Sequence, residues 1–169
     1  GTALVHAERY EEGLLVLEQA EQGFRALGPL HLGDVYEAAH FRALALFRLH
    51  RTDDVFEALL LDLEATLEQA PEASHGNRAS MLNLMSEHSR LRADYARASD
   101  YARRAIEAFH ARGTPRHRDA VAMLIQAGTI ELERGRYDDA DRWLHQARDH
   151  ARSHLPPNHP HLLLLHNSL

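Results

Sequence analysis

The sequence has no cysteine and no lysine. The first absence excludes disulfides, thiolate metal sites and cysteine nucleophiles. The second excludes Schiff-base chemistry and the lysine of a phosphate-binding P-loop, and no glycine-rich phosphate loop occurs either. All 19 basic residues other than histidine are arginines, scattered among 25 acids for a net charge of −6. That balance offers nothing to a phosphate backbone, so direct nucleic-acid binding is not expected. Long apolar runs are missing as well: the leucines Leu162 to Leu165 fall far short of the roughly 20 residues needed to cross a bilayer, so no membrane segment is expected. Gly1 to Val5 lack the basic start and long apolar stretch of a secretory signal, and cytoplasmic residence is the expectation.

What the chain has instead is a hydrophobic fraction of 44% in 169 residues, enough for an ordered core, and that fraction is distributed periodically. Four segments align: Arg9-Tyr10-Glu11-Glu12-Gly13, Asp54-Val55-Phe56-Glu57-Ala58, Asp94-Tyr95-Ala96-Arg97-Ala98 and Arg136-Tyr137-Asp138-Asp139-Ala140. Counting from Tyr10, Val55, Tyr95 and Tyr137, a small residue follows at three positions on. An apolar or aromatic residue follows at six (Val16, Leu61, Tyr101, Trp143) and alanine at ten (Ala20, Ala65, Ala105, Ala147). The anchors are spaced by 45, 40 and 42 residues. Offsets of three, six and ten fall on one face of a helix, so each segment is predicted to be amphipathic with a small-residue seam that a neighbouring helix can approach.

A second helical stretch precedes each of the later anchors: Gly33 to His50, Asn77 to Arg92 and Arg116 to Arg134. The predicted unit is therefore a helix A followed by a helix B. Asp53, Asp94 and Asp138 stand where the B helices should begin, placed to cap free N–H groups. Gly28-Pro29, Pro71, Gly113-Thr114-Pro115 and Pro156-Pro157 break the chain where B helices should end. One pair of such helices cannot bury its own apolar face, so the expected fold is all-α, with successive pairs stacking into a solenoid. The expected repeats are 1–28 (partial), 31–70, 74–112, 116–155 and 160–169 (partial), forming a single array over 1–169 that is a segment of a longer protein.

Leu124, Ala127, Gly128, Gly135, Tyr137, Ala140 and Ala147 resemble the conserved-type positions of a tetratricopeptide helix pair. Leu155-Pro156-Pro157-Asn158-His159-Pro160 is similar to the 42-residue variety found in kinesin light chains and bacterial regulators. Earlier repeats depart from the pattern, with Asp53 and Ala93 in place of the usual glycine, Val55 in place of tyrosine and Ser86 in place of the small glycine of helix A. The resemblance implies a right-handed superhelix of antiparallel pairs with the A helices lining its concave side. It implies that His40, Ala43, Phe47 and His50 face inward in the second repeat. Ser80, Asn83, Glu87 and Arg90 do so in the third, and Ala122, Ile125, Thr129 and Leu132 in the fourth. Asn167 repeats Asn83 at twice the period, and an asparagine in a groove suits recognition of an extended peptide backbone. Phe47 and Arg90 are of the types that anchor interfaces.

The chemical alternatives are weaker. His150 and His154 are four apart and could share a metal, with His145, His159 and His161 nearby, but the segment lacks the glutamate of a metalloprotease H-E-x-x-H. Histidines near a helix C-terminus are favoured by its dipole, and no metal or other cofactor is expected. Ser86, Glu87, His88 and Ser89 hold the ingredients of a hydrolase, but adjacent helical positions diverge by about 100° and a solvated face is expected instead. The paired acids Asp53/Asp54 and Asp138/Asp139 are read as caps, and Tyr10, Tyr95, Tyr101, Tyr137 and Trp143 as packing residues.

The expected function is non-enzymatic: a protein- or peptide-binding scaffold within a bacterial regulator. The exclusive use of arginine in a Leu- and Ala-rich chain suits a GC-rich genome. A homodimerisation scaffold for an attached output domain is the main alternative, and a metal-dependent hydrolase using the C-terminal histidines is a third.

Overall fold

The helical periods read from the sequence correspond to helices in the computed structural model, which describes residues 1–69, 75–111, 117–156, 159, 160 and 165. The α-helices are α1 (Thr2–His6), α2 (Tyr10–Leu27), α3 (Leu32–Arg48), α4 (Asp54–Gln69), α5 (His75–Leu91), α6 (Tyr95–Ala111), α7 (His117–Glu133) and α8 (Tyr137–His154). Among the described residues there is no strand. None of these helices is long and apolar enough to cross a membrane. The chain divides into two compact units, Gly1–Asn77 and Arg78–Leu169. Pro71, Gly113-Thr114-Pro115 and Pro157 lie outside the described residues. Gly28, at φ +97°, ends α2, and Pro29–His31 form a single 3-10 turn leading into α3.

Four turns share one backbone geometry. Glu8, His50, Ala93 and Gly135 all lie in the left-handed region, at φ 59°, 56°, 59° and 72°, spaced by 42, 43 and 42 residues. In each, the next N–H reaches back five residues to a helix carbonyl: Arg9 to Leu4, Arg51 to Leu46, Asp94 to Ser89 and Arg136 to Glu131, at 2.8–3.0 Å. This bond satisfies carbonyls that the helix end leaves open, and the positive φ turns the chain back on itself. Helices α1, α3, α5 and α7 are thus each closed by the same device, and α2, α4, α6 and α8 follow.

Seven residues before each turn lies Gly1, Ala43, Ser86 or Gly128. A Cβ on Gly1 would sit 2.7 Å from Leu17 Cδ2, and one on Gly128 would sit 2.7 Å from Leu144 Cγ and 3.4 Å from the main-chain oxygen of Ala140. Ser86 fits at the same place because its hydroxyl donates to the corresponding carbonyl, that of Ala98, at 2.8 Å. Ala43 is fully buried. Within the first unit, Val5, Leu17, Ala38 and Ala45 form a core joined by Tyr10, Leu14, Phe41 and Leu44. Within the second, Ala127, Ile130, Ala140, Leu144 and Ala147 are buried along α7 and α8, which pack along their lengths.

Three expectations are corrected. In α4 the buried face is Phe56, Leu59 and Leu63, with Leu60 beside it, whereas Ala58, Leu61 and Ala65 are exposed. The left-handed residue of that turn is His50 rather than Asp53, and α4 starts four residues after it, so the face is set by the turn and lies two residues ahead of the expected one. Asp53 and Asp94 do cap, accepting from the N–H groups of Phe56 (3.2 Å) and Arg97 (3.1 Å). Asp138 does not, because α8 begins at Tyr137 and places it inside the first turn. Tyr137 is exposed rather than packed.

The close α7–α8 approach predicts that Gly128→Val lowers the unfolding free energy by about 3 kcal/mol, the upper part of the usual cost of overpacking. In urea denaturation, the Gly128→Val/Leu144→Ala variant should lose less than the sum of the two single losses, since the smaller residue opens the space. Full additivity would mean that these side chains do not compete for one volume.

Candidate functional site

The turns also fix which residues of the first helices correspond. Ten, six and three residues before the left-handed position lie His40, Leu44 and Phe47 in α3, Asn83, Glu87 and Arg90 in α5, and Ile125, Thr129 and Leu132 in α7. His40 and Phe47 therefore stay in the set at shifted positions, Ala43 belongs to the buried seam, and His50 leaves the helix altogether. Asn167 lies outside the described residues.

In the first unit His40 is buried, with its ring 6.3 Å from that of Tyr36 and 5.1 Å from that of Phe41. It is a core residue rather than an accessible groove residue. Burial disfavours the imidazolium and lowers the His40 pKa from 6.5 to about 4. Phe47 is half-buried, 6.2 Å from Phe56, and His50 is exposed in its turn because α3 ends at Arg48.

In the second unit α5 and α7 present a half-exposed polar strip. Arg90 donates through Nε and one terminal nitrogen to both oxygens of Glu87, at 3.0 and 2.7 Å, and through the other terminal nitrogen to Glu133 Oε1 at 2.9 Å. The hydrogen bonds with Glu87, and then the charges of Glu87 and Glu133, hold the guanidinium pKa above its ordinary value. Arg90 is thereby a brace between α5 and α7 rather than a cation held ready for a partner. Glu133 was not legible as its partner, 43 residues away. Gln126 Nε2 donates to the main-chain carbonyl of Asn83 at 3.3 Å, tying the same two helices, and Thr129 Oγ1 donates to the Ile125 carbonyl at 3.0 Å. The Asn83, Ile125 and Thr129 side chains are half-buried, and Leu132 is exposed beside Glu133. The strip thus combines a fixed acid–guanidinium–acid row with apolar and amide groups.

The hydrolase ingredients are arranged otherwise than expected. Ser86, His88 and Ser89 are buried rather than solvated, and the Ser86 hydroxyl is spent on the Ala98 carbonyl. At the end of α8 the His150 and His154 rings lie 4.5 Å apart, and His154 Nδ1 is 3.0 Å from the His150 carbonyl. His145 Nδ1 lies 2.9 Å from the Asp141 carbonyl. Among the described residues no three or more His, Asp or Glu side chains converge to hold a metal, and His161 is outside them. Asp139 is bound by Arg136 and Arg142; the hydrogen bond from Arg142, chiefly, holds its carboxyl below the usual range.

No protein-family model matches the chain, and no curated protein matches it.

His40 gives the core of the first unit a pH signature. Its folded-state pKa is depressed, so the unfolded chain takes up a proton at higher pH than the folded one, and stability is lost as pH falls from about 6.5 towards 4. Urea unfolding at pH 7.5 and 4.5 should show the protein losing about 2 to 3 kcal/mol more than His40→Gln does. Equal losses would mean that the folded state accommodates the imidazolium.

Proposed function

We propose that this chain is a tetratricopeptide-like protein-interaction module, a right-handed α-solenoid of antiparallel helix pairs that binds a peptide or protein segment on the face formed by its A helices. The observation that carries the reading is the fourfold recurrence of one left-handed turn at a spacing of 42 or 43 residues, each preceded by the same small-residue position. Repetition of a helix pair at that period is the mark of solenoids, and their inner faces commonly serve as extended binding surfaces. The α5–α7 strip has the make-up of such a surface. Its two acids are braced by Arg90, and Gln126 and Thr129 are held on main-chain carbonyls, so few side chains need ordering when a partner arrives. Asn83 and Gln126 supply amides for a peptide backbone, and Ile125 and Leu132 supply apolar contact. In this reading the module belongs to a bacterial regulator and binds rather than catalyses.

Self-association is the second reading, favoured by exposed apolar side chains in the first unit: Leu15, Leu27, Leu30, Val55 and Leu61. Affinity capture from a bacterial lysate followed by titration of the captured protein separates the two. The proposed reading predicts one partner whose affinity falls at least tenfold in an Asn83→Ala/Ile125→Arg variant that melts within a few degrees of the parent. An unchanged affinity would move the site off this face. Concentration-dependent mass in sedimentation equilibrium, with no partner captured, would replace the proposal by self-association.

A further inference from the structure

A cleft of about 400 Å³ opens in the second unit between α6, α7 and α8. Small residues make it: Ala102 on α6 and Ala127 on α7 are both buried at its floor and leave space that no side chain fills, while the half-buried Trp143 of α8 forms a wall. Its volume is within the range of about 300–1,000 Å³ usual for ligand sites. None of its residues belongs to the α5–α7 strip.

The charges lining the cleft are sorted by depth. Glu131 is sunk at the bottom with 5% of its side chain exposed. It accepts the Ser99 hydroxyl and two hydrogen bonds from Arg134, at 3.0 and 3.1 Å, with Arg136 Nε 3.7 Å away. Asp139, 17% exposed, is held by Arg136 and Arg142. What reaches solvent at the mouth is guanidinium: Arg103 at 53%, Arg136 at 54% and Arg142 at 72%. The lining itself thus holds three arginines and two submerged carboxylates, with the guanidinium groups outermost. Arg103 also pairs with Asp100 and Glu107 on its own helix, each at 2.7 Å. Exposed pairs of that kind contribute little and leave the Arg103 side chain free to reorient toward the cleft.

We infer that this cleft is a second binding site, taking a partner's peptide segment in which an apolar or aromatic side chain is flanked by acidic ones. The apolar group lies on Ala102, Ala127 and the Trp143 indole, and the flanking carboxylates reach Arg103 on the α6 side and Arg142 on the α8 side. Arginine suits this task because its planar fork takes a carboxylate through two parallel hydrogen bonds. A small inorganic anion would satisfy the rim and leave the floor empty, which is why the occupant is assigned as a peptide. The inference is independent of the α5–α7 face and stands or falls without it.

The test uses a phage-displayed random peptide library selected on the whole chain. Trp143, the only tryptophan, reports occupancy of the cleft through its emission. Enriched sequences should carry Asp or Glu beside an apolar residue, and synthetic versions should shift Trp143 emission saturably. They should bind an Arg103→Gln/Arg142→Gln variant at least tenfold more weakly. Both arginines are exposed, so the variant should keep its helical circular dichroism and melting temperature. Arg152→Gln, exposed on α8 outside the cleft, should bind like the parent. The inference is overturned by the absence of enrichment, by enriched peptides without acids, by equal binding to the double variant or by equal weakening in Arg152→Gln. Saturation of the Trp143 signal by inorganic phosphate alone would also overturn it, leaving a small-anion site.

Discussion

The position of a single left-handed residue governs each helix pair. Where φ turns positive the first helix must stop, because its next carbonyls are taken by the reversing bonds from Arg9, Arg51, Asp94 and Arg136. The second helix starts two residues later in α2, α6 and α8 and four residues later in α4, and that start decides which of its residues face back. In α6 and α8 the buried alanines Ala98 and Ala140 both lie five residues after the left-handed one. In α4 the helix starts later, and Phe56 occupies the corresponding place one residue further on. Only one of the four positions is glycine. Glu8, His50 and Ala93 therefore hold a conformation that a Cβ opposes, and the closing hydrogen bonds offset that strain.

The small position seven residues earlier depends on this geometry. Once the chain has reversed, the second helix lies close against the first, and the side chain there is hydrogen, a methyl or a hydroxymethyl group. Gly128 solves the problem by having no Cβ, Ala43 by having little more, and Ser86 by turning its hydroxyl into a donor for the carbonyl it meets. The polar braces come next. Arg90 and Gln126 join α5 to α7, and in the first unit Arg42 pairs with the buried Glu21 at 2.8 Å, joining α3 to α2. Glu21 also accepts from Arg25 on its own helix at 3.2 and 3.1 Å, so this buried acid is compensated from both helices.

The helices were legible because their apolar residues recur at helical spacing, and the α7–α8 pair was legible almost residue by residue because Gly128, Gly135, Ala140 and Ala147 carry their own signals. The α3–α4 turn was not, because a histidine at positive φ looks like any other helix residue in the sequence. Anchoring that repeat on Val55 shifted the expected faces of both helices, putting His50 on a helix it does not belong to and Ala58 and Ala65 in a seam they do not form. Burial of His40 and His88 was missed for a related reason: polarity predicts exposure only when a helix has a free side. The Arg90–Glu133 brace joins residues far apart in sequence and needed the packing of α5 on α7 to be seen. The Trp143 cleft had half a signal, in that its tryptophan was read as packing while the arginines around it were counted only as scattered charge.

Two features carry the functional proposals: a braced, half-exposed strip on first helices and an arginine-rimmed cleft beside second helices, both in the same unit. Both rest on the repeating turn, which keeps the helix faces in register. The most direct measurement is the unfolding free energy of Glu8→Gly, His50→Gly and Ala93→Gly in urea. If the three residues are left-handed, each substitution raises stability by about 0.5 to 1 kcal/mol, because glycine relieves the opposed Cβ. If instead each lowers it by about 1 kcal/mol, as glycine does inside a helix, the turns are not where the structure puts them and the repeat does not hold.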